Sequence, residues 1–64
     1  MDTQQIITAL RQEFGLSQTE IASRLKIPQP RISRWEGGEV PAAADDALAL
    51  SRLLTDLRGT KAAA

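Results

Sequence analysis

The sequence contains no cysteine, no histidine and no tyrosine, and these absences exclude several classes of function. Without cysteine there is neither a disulfide framework nor a zinc finger, and without histidine the commonest general base and metal ligand is missing. A chain of 64 residues buries only about 60% of the surface that it exposes when unfolded, which supports one small core. We therefore expect a single domain that is not an enzyme, with no catalytic residue, no metal site and no cofactor.

Long apolar runs are also missing. The longest run is four or five residues, as in residues 47–50, whereas about 20 are needed to span a bilayer. The first residues lack the basic segment and apolar stretch of a secretory signal. We expect a cytoplasmic protein with no membrane association, and no feature of the sequence indicates a small-molecule substrate.

A surplus of one charge is absent as well, since eight basic and eight acidic residues give a formal net charge of zero. The charges are nevertheless separated along the chain. Residues 11–34 contain five basic and two acidic side chains, and residues 35–56 contain one basic and five acidic side chains. Because Lys and Arg neutralise phosphates in nucleic-acid complexes, the basic half is able to face DNA by itself.

What the sequence does contain is a set of short amphipathic segments separated by glycine and proline, without the alternating pattern of a strand. We predict an all-α fold, a compact bundle of four to five helices. The first helix is predicted over residues 3–14, where apolar residues share one face and Gly15 follows. The second is predicted over residues 18–25, because Ser17 and Glu20 match the S-x-x-E capping box and Pro28 prevents continuation.

The third helix is predicted to begin near Gln29 and to end at Gly37-Gly38, with Pro30 in its first turn, where a missing amide costs no hydrogen bond. A fourth helical segment is predicted over residues 42–58, with Gly59 as its end. We expect residues 1–59 to form the domain and residues 60–64 to form a flexible tail.

Two short helices joined by a tight turn, the second with polar side chains, are typical of a helix-turn-helix. The segment SQTEIASRLKIPQPRISRWEGG, residues 17–38, resembles the motif of the Cro/Xre (lambda-repressor-like) family of phage and bacterial transcriptional repressors. The matching positions are Ser17, Gln18, Ile21, Ala22, Leu25, Ile27, Gln29, Ile32, Ser33, Arg34, Trp35, Glu36 and Gly38. With helix 1 included, the resemblance covers residues 6–41.

The sequence departs from the family motif at three places. Lys26 stands at the position of the turn glycine, so a positive φ there implies strain. Pro28 replaces the serine before helix 3 and has no side chain that caps. Glu39 and Val40 replace the basic residues that often follow the motif.

The surface of helix 3 that faces the DNA follows from a rotation of 100° per residue. If Ile32 and Trp35 face the core, Pro30, Ser33 and Arg34 point outward, and Gln29 and Arg31 flank that face. Arginine reads guanine, glutamine reads adenine, and a proline ring can pack on a thymine methyl. We therefore predict Arg34, Gln29 and Arg31 as base-reading residues.

The resemblance implies further roles. Gln18 is implied to contact a phosphate and to position Gln29, and the amide groups at the start of helix 2 offer a phosphate site in any case. Ser17 is predicted to cap helix 2 first and to assist at the phosphate second. Arg11 and Glu36 resemble the family's partly buried structural ion pair between helix 1 and the end of helix 3.

The fourth helix carries leucines on two sides, so it cannot bury all of them within one chain. Leu53, Leu54 and Leu57 lie close to Leu50 on a helical wheel, whereas Leu48 lies 160° away. We expect either Leu48 or the ridge of Leu53, Leu54 and Leu57 to form a homodimer interface, unless a kink turns Leu48 inward.

The leading interpretation is a sequence-specific, Cro-like repressor of a bacterium or phage, acting at the bacterial nucleoid or in a phage-infected host. It would bind a palindromic DNA operator as a homodimer. One alternative is an antitoxin-like protein-interaction module that binds DNA only for autoregulation. Another is the DNA-binding fragment of a longer recombinase or regulator.

Overall fold

Four α-helices make up the architecture of residues 1–63, the part of the chain that the computed structural model describes. Their bounds are α1 Thr3–Phe14, α2 Gln18–Leu25, α3 Gln29–Glu36 and α4 Ala44–Ala63. No strand occurs in this range, so the predicted all-α fold is confirmed, and the bounds of α1, α2 and α3 agree with those predicted. Within the same range no helix has both the length and the apolar character needed to cross a bilayer.

Capping boxes begin both of the first two helices. At α2 the Ser17 hydroxyl accepts from the Glu20 amide at 3.0 Å, and the Glu20 carboxylate accepts from the Ser17 amide at 3.1 Å, as predicted. An equivalent box formed by Asp2 and Gln5 begins α1, and the sequence reasoning missed it. Each box satisfies two backbone donors that the first helical turn leaves unpaired.

The turn between α2 and α3 carries the strain that its sequence implied. Lys26 adopts the left-handed conformation, with φ 55° and ψ 41°, and it is the non-glycine residue with positive φ in the described chain. The turn is anchored to the core by the side chain of Ile27, which is only 8% exposed. Pro28 occupies the N-cap of α3 and makes no side-chain capping bond, so α3 begins without that stabilisation.

The fourth helix differs from its prediction at both ends. It begins at Ala44 rather than near residue 42, and it continues through Gly59 to Ala63, so the predicted end of the helix at Gly59 is wrong. The flexibility expected of a tail over residues 60–64 stays a prediction. Ala64, the last residue of that predicted tail, lies outside the described residues. A glycine inside a helix costs only about 1 kcal/mol, which neighbouring contacts can offset.

One such contact is the ion pair between Arg58 on α4 and Glu13 on α1. The Arg58 guanidinium donates through Nε to Glu13 Oε1 at 3.0 Å and through Nη2 to Oε2 at 2.6 Å. The hydrogen bond to Glu13 raises the pKa of Arg58, against a smaller opposing effect of desolvation. This two-point contact holds the segment just before Gly59 against α1.

The core is centred on α1, which packs against α3 and α4, and α2 packs on α3. Its fully buried side chains are Ile7, Leu10, Ile21, Ile32 and Leu50. Because Ile32 and the 3%-exposed Trp35 both point into this core, the rotation of α3 about its axis is fixed. The opposite face of α3 is therefore presented to solvent.

Candidate nucleic-acid interface

The exposed face of α3 carries the predicted base-reading residues. Pro30, Arg31, Ser33 and Arg34 are exposed, and Gln29 is half-buried at the start of the helix. Trp35 is buried, so it packs in the core and cannot stack on a base. The structure thus places the predicted readers side by side on one surface, while their contacts with DNA stay a prediction.

A chain of side-chain hydrogen bonds runs from α1 to the first residue of α3. Arg11 Nη1 donates to Glu36 Oε1 at 2.8 Å and to Oε2 at 3.0 Å. Gln18 Nε2 donates to Glu36 Oε1 at 2.6 Å, and Gln29 Nε2 donates to Gln18 Oε1 at 2.7 Å. The four residues come from three helices, so we call them the polar relay.

The polar relay fixes the orientation of two amide groups. Glu36 is a carboxylate and only accepts, so Gln18 must turn its NH2 group toward Glu36 and its oxygen toward Gln29. Gln29 then uses one of its two amide hydrogens and keeps the other hydrogen and its Oε1 free. That remaining pair matches the N7 acceptor and N6 donor of adenine, and holding it in place lowers the conformational entropy lost on binding.

The relay begins at an ion pair that is more exposed than expected. The side chain of Arg11 is 43% exposed and that of Glu36 is 22% exposed. Solvent screening at this exposure keeps the Coulomb contribution of the pair modest. Its structural effect is geometric, because it joins α1 to the end of α3 and supplies the carboxylate that orients Gln18.

The start of α2 lies beside the relay and offers backbone donors. Gln18 and Thr19 occupy the first two helical positions, where amides have no carbonyl partner inside the helix. The positive end of the helix dipole lies at the same place, which favours an anion such as a phosphate. Ser17 Oγ already accepts from the Glu20 amide, so its first role is the cap.

Glu39, which stands where the family often has a basic residue, makes a contact with this surface that the sequence analysis did not predict. Its Oε2 lies 3.4 Å from Arg34 Nε, and both side chains are more than half exposed. The Glu39 amide donates to the Arg34 carbonyl at 3.1 Å across a turn in which Gly38 has φ 113°. A spacing of five residues after a helical arginine, with two glycines between, is the sequence signal that points to this pair.

The four leucines predicted as dimer-interface candidates separate into two groups. Leu54 is 4% exposed and belongs to the core, and Leu53 and Leu57 pack against that core. Leu48 is 48% exposed on the uninterrupted helix α4, so no kink turns it inward. Of the four, Leu48 therefore presents the accessible apolar surface.

The comparisons with known proteins agree with this architecture. A family model described as helix-turn-helix matches residues 7–55, which include α1, α2, α3 and the first part of α4. No curated protein and no solved structure gives a significant match. Among the described residues, no group of three or more acidic, histidine or cysteine side chains is placed to hold a metal ion.

Proposed function

The chain belongs to the Cro/C1-type helix-turn-helix family of DNA-binding transcription regulators, and we propose that it is a repressor that binds a palindromic operator as a homodimer. The observation that carries this proposal is the polar relay, which ends on Gln29 beside the exposed Arg31 and Arg34. Repression follows from occupying promoter DNA. The proposed place of action is the cytoplasm of a bacterium or of a phage-infected host.

In the proposed complex α3 lies in the major groove and α2 anchors the backbone. Arg34 and Arg31 supply forked donors for guanine O6 and N7, and Gln29 reads adenine. The ring of Pro30 packs on a thymine methyl. Gln18 and the free amides at the start of α2 hold a phosphate, which sets the depth at which α3 enters the groove.

The function is tested by selecting duplexes from a random library and repeating the selection with Arg34→Ala. We expect the wild-type protein to select a two-fold symmetric site. Arg34→Ala should weaken binding to that site by about 1–3 kcal/mol and relax the preference at one base position in each half. Fluorescence anisotropy on selected and random duplexes measures both effects.

Arg24→Ala is the matched control, since Arg24 is an exposed arginine on α2 and the change removes the same charge. It should leave the selected base sequence unchanged. If Arg34→Ala binds selected and random duplexes as the wild type does, base reading by Arg34 is wrong. A wild-type protein that selects no sequence would instead favour the protein-interaction alternative.

A further inference from the structure

Exposed apolar side chains gather at one place on the described surface. Met1, Val40 and Leu48 are the large apolar side chains with high exposure, at 71%, 79% and 48%. All three line one groove of about 470 Å³ between the start of α1, the loop before α4 and α4 itself. Exposed apolar patches of this kind commonly mark interaction sites.

The groove opens on one side of Leu48, and charges lie on the other. Ala47 and Ser51 line the groove. On the opposite side, Asp45 and Arg52 are rotated from Leu48 by about 60° and 40°, at 100° per residue. Both are exposed, and neither forms an ion pair with another described residue.

The spacing of these two charges along α4 is the decisive feature. Asp45 precedes Leu48 by three residues and Arg52 follows it by four, which places them about 4.5 and 6 Å from Leu48 along the axis, in opposite directions. A two-fold rotation that makes two copies of α4 antiparallel at Leu48 exchanges these directions. Asp45 of one copy then faces Arg52 of the other, and the same pair forms twice.

We propose that this surface, made of Leu48, Val40, Asp45 and Arg52, is the homodimer interface, and that its occupant is a second copy of the chain. The two Leu48 side chains meet on the two-fold axis, and the two grooves adjoin on one side of these leucines. The two pairs of Asp45 with Arg52 lie on the other side. The inference rests on the proposed function, because a palindromic operator requires a two-fold dimer.

A second copy fits this surface better than a different partner does. A surface made for another protein needs no relation between its own charges. Here two charges of opposite sign lie on the same side of Leu48 at nearly equal distances from it, which is the arrangement that a self-complementary contact requires.

The first test is the oligomeric state measured by sedimentation over a range of concentrations without DNA. Leu48→Asp places two carboxylates together on the axis and should raise the dimer dissociation constant by about 100-fold. Gln12→Asp is the matched control, since it adds the same charge at an exposed position of α1 outside the groove. It should leave the constant unchanged, and circular dichroism should show both variants to be folded.

Charge reversal tests the pairing itself. Asp45→Arg and Arg52→Asp each bring like charges together across the axis, and each alone should raise the dissociation constant by about three- to tenfold. The double variant Asp45→Arg/Arg52→Asp recreates both pairs and should return it to within about twofold of the wild type. If the dissociation constant of the double variant is as high as those of the single variants, the proposed pairing of Asp45 with Arg52 is wrong.

DNA with one half-site separates this inference from the proposed function. Leu48→Asp should bind a single half-site like the wild type and lose the added affinity for two half-sites. A wild-type protein that reads a half-site but stays monomeric at high micromolar concentration would overturn the interface and leave DNA reading intact. A dimer that depends on Leu48 but selects no DNA sequence would support the interface and overturn the proposed function.

Discussion

The contact between Glu39 and Arg34 places a carboxylate beside a predicted base-reading residue. If Arg34 reads a base as predicted, it must exchange Glu39 for that base when α3 enters the groove, and Glu39 then faces the phosphates with the same sign of charge. Glu39→Gln should therefore tighten binding to the selected duplex by about two- to tenfold, the range expected for an exposed ion pair. Anisotropy titrations at low salt measure this gain.

Asp56→Asn is the control for Glu39→Gln, because it removes one negative charge from an exposed site on α4. An equal gain from both variants would show that net charge, rather than the release of Arg34, determines the affinity. A gain confined to Glu39→Gln supports the local effect.

Lys26 is strained by its left-handed backbone, and replacement with glycine should relieve that strain. The left-handed conformation costs a residue with a Cβ about 1–2 kcal/mol, and part of the gain is offset because glycine makes the unfolded chain more flexible. Lys26→Gly should raise the free energy of unfolding by about 0.5–1 kcal/mol, measured by urea denaturation. Lys26→Ala removes the same charge and keeps the strain, so a rise of equal size in that variant would contradict this explanation.

Local chemistry explains which residue-level features were predictable. The Ser17 cap and the strain at Lys26 follow from neighbouring residues, since a serine three positions before a glutamate and a turn position usually held by glycine are visible in the sequence. The hydrogen bond between Gln29 and Gln18 was implied by resemblance to a family. The spacing of Arg34 and Glu39 around two glycines points to their pair, but the contact also depends on the positive φ of Gly38, which the sequence does not specify.

At the scale of elements, α4 shows how tertiary contacts override a helix-breaking residue. A Cβ added at Gly59 would meet no atom within 4 Å, and the helix continues on both sides. Gly59→Ala should therefore raise the free energy of unfolding by about 0.5–1 kcal/mol, because alanine restricts the unfolded chain and favours the helix. Thermal and urea unfolding measure the change.

Gly15→Ala serves as the opposite control for Gly59→Ala. Gly15 has φ 66° at the end of α1, so alanine there should lower stability even though the space around it is open. A loss of stability in Gly59→Ala would mean that α4 ends at that residue in solution, as the sequence predicted.

The ends of the first three helices were predictable because each is marked by a cap, a glycine of positive φ or a proline. The end of α4 was not, since a glycine that ends one helix and a glycine inside another look alike in sequence. The helical wheel of α4 likewise identified two apolar sides without showing which one the core uses. Packing of α4 against α1 answers this, with Leu50 and Leu54 inside and Leu48 outside.

At the scale of the whole molecule, eight basic and eight acidic residues cancel in the net charge, and ion pairs occupy several of the basic side chains. Arg11, Arg34 and Arg58 each have a glutamate within 3.4 Å. Among the described basic side chains near the helix-turn-helix, Arg24, Lys26 and Arg31 form no ion pair and are exposed. The protein therefore offers few charges that can neutralise phosphates without breaking an internal contact.

This scarcity of unpaired cations predicts a weak dependence of DNA affinity on salt. Each phosphate neutralised contributes about −0.9 to the slope of log affinity against log salt, so Arg24 and Lys26, the two unpaired cations that are not assigned to a base, give a slope of about −2 for one half-site. Random duplexes should bind weakly, because non-specific affinity comes from the same phosphate contacts. Titrations of a half-site between about 50 and 200 mM salt measure the slope.

A slope steeper than about −6 would contradict this account, since it requires the paired arginines to leave their glutamates for phosphates. Specificity then has to come from the groove contacts of α3 and from two-fold symmetry rather than from charge.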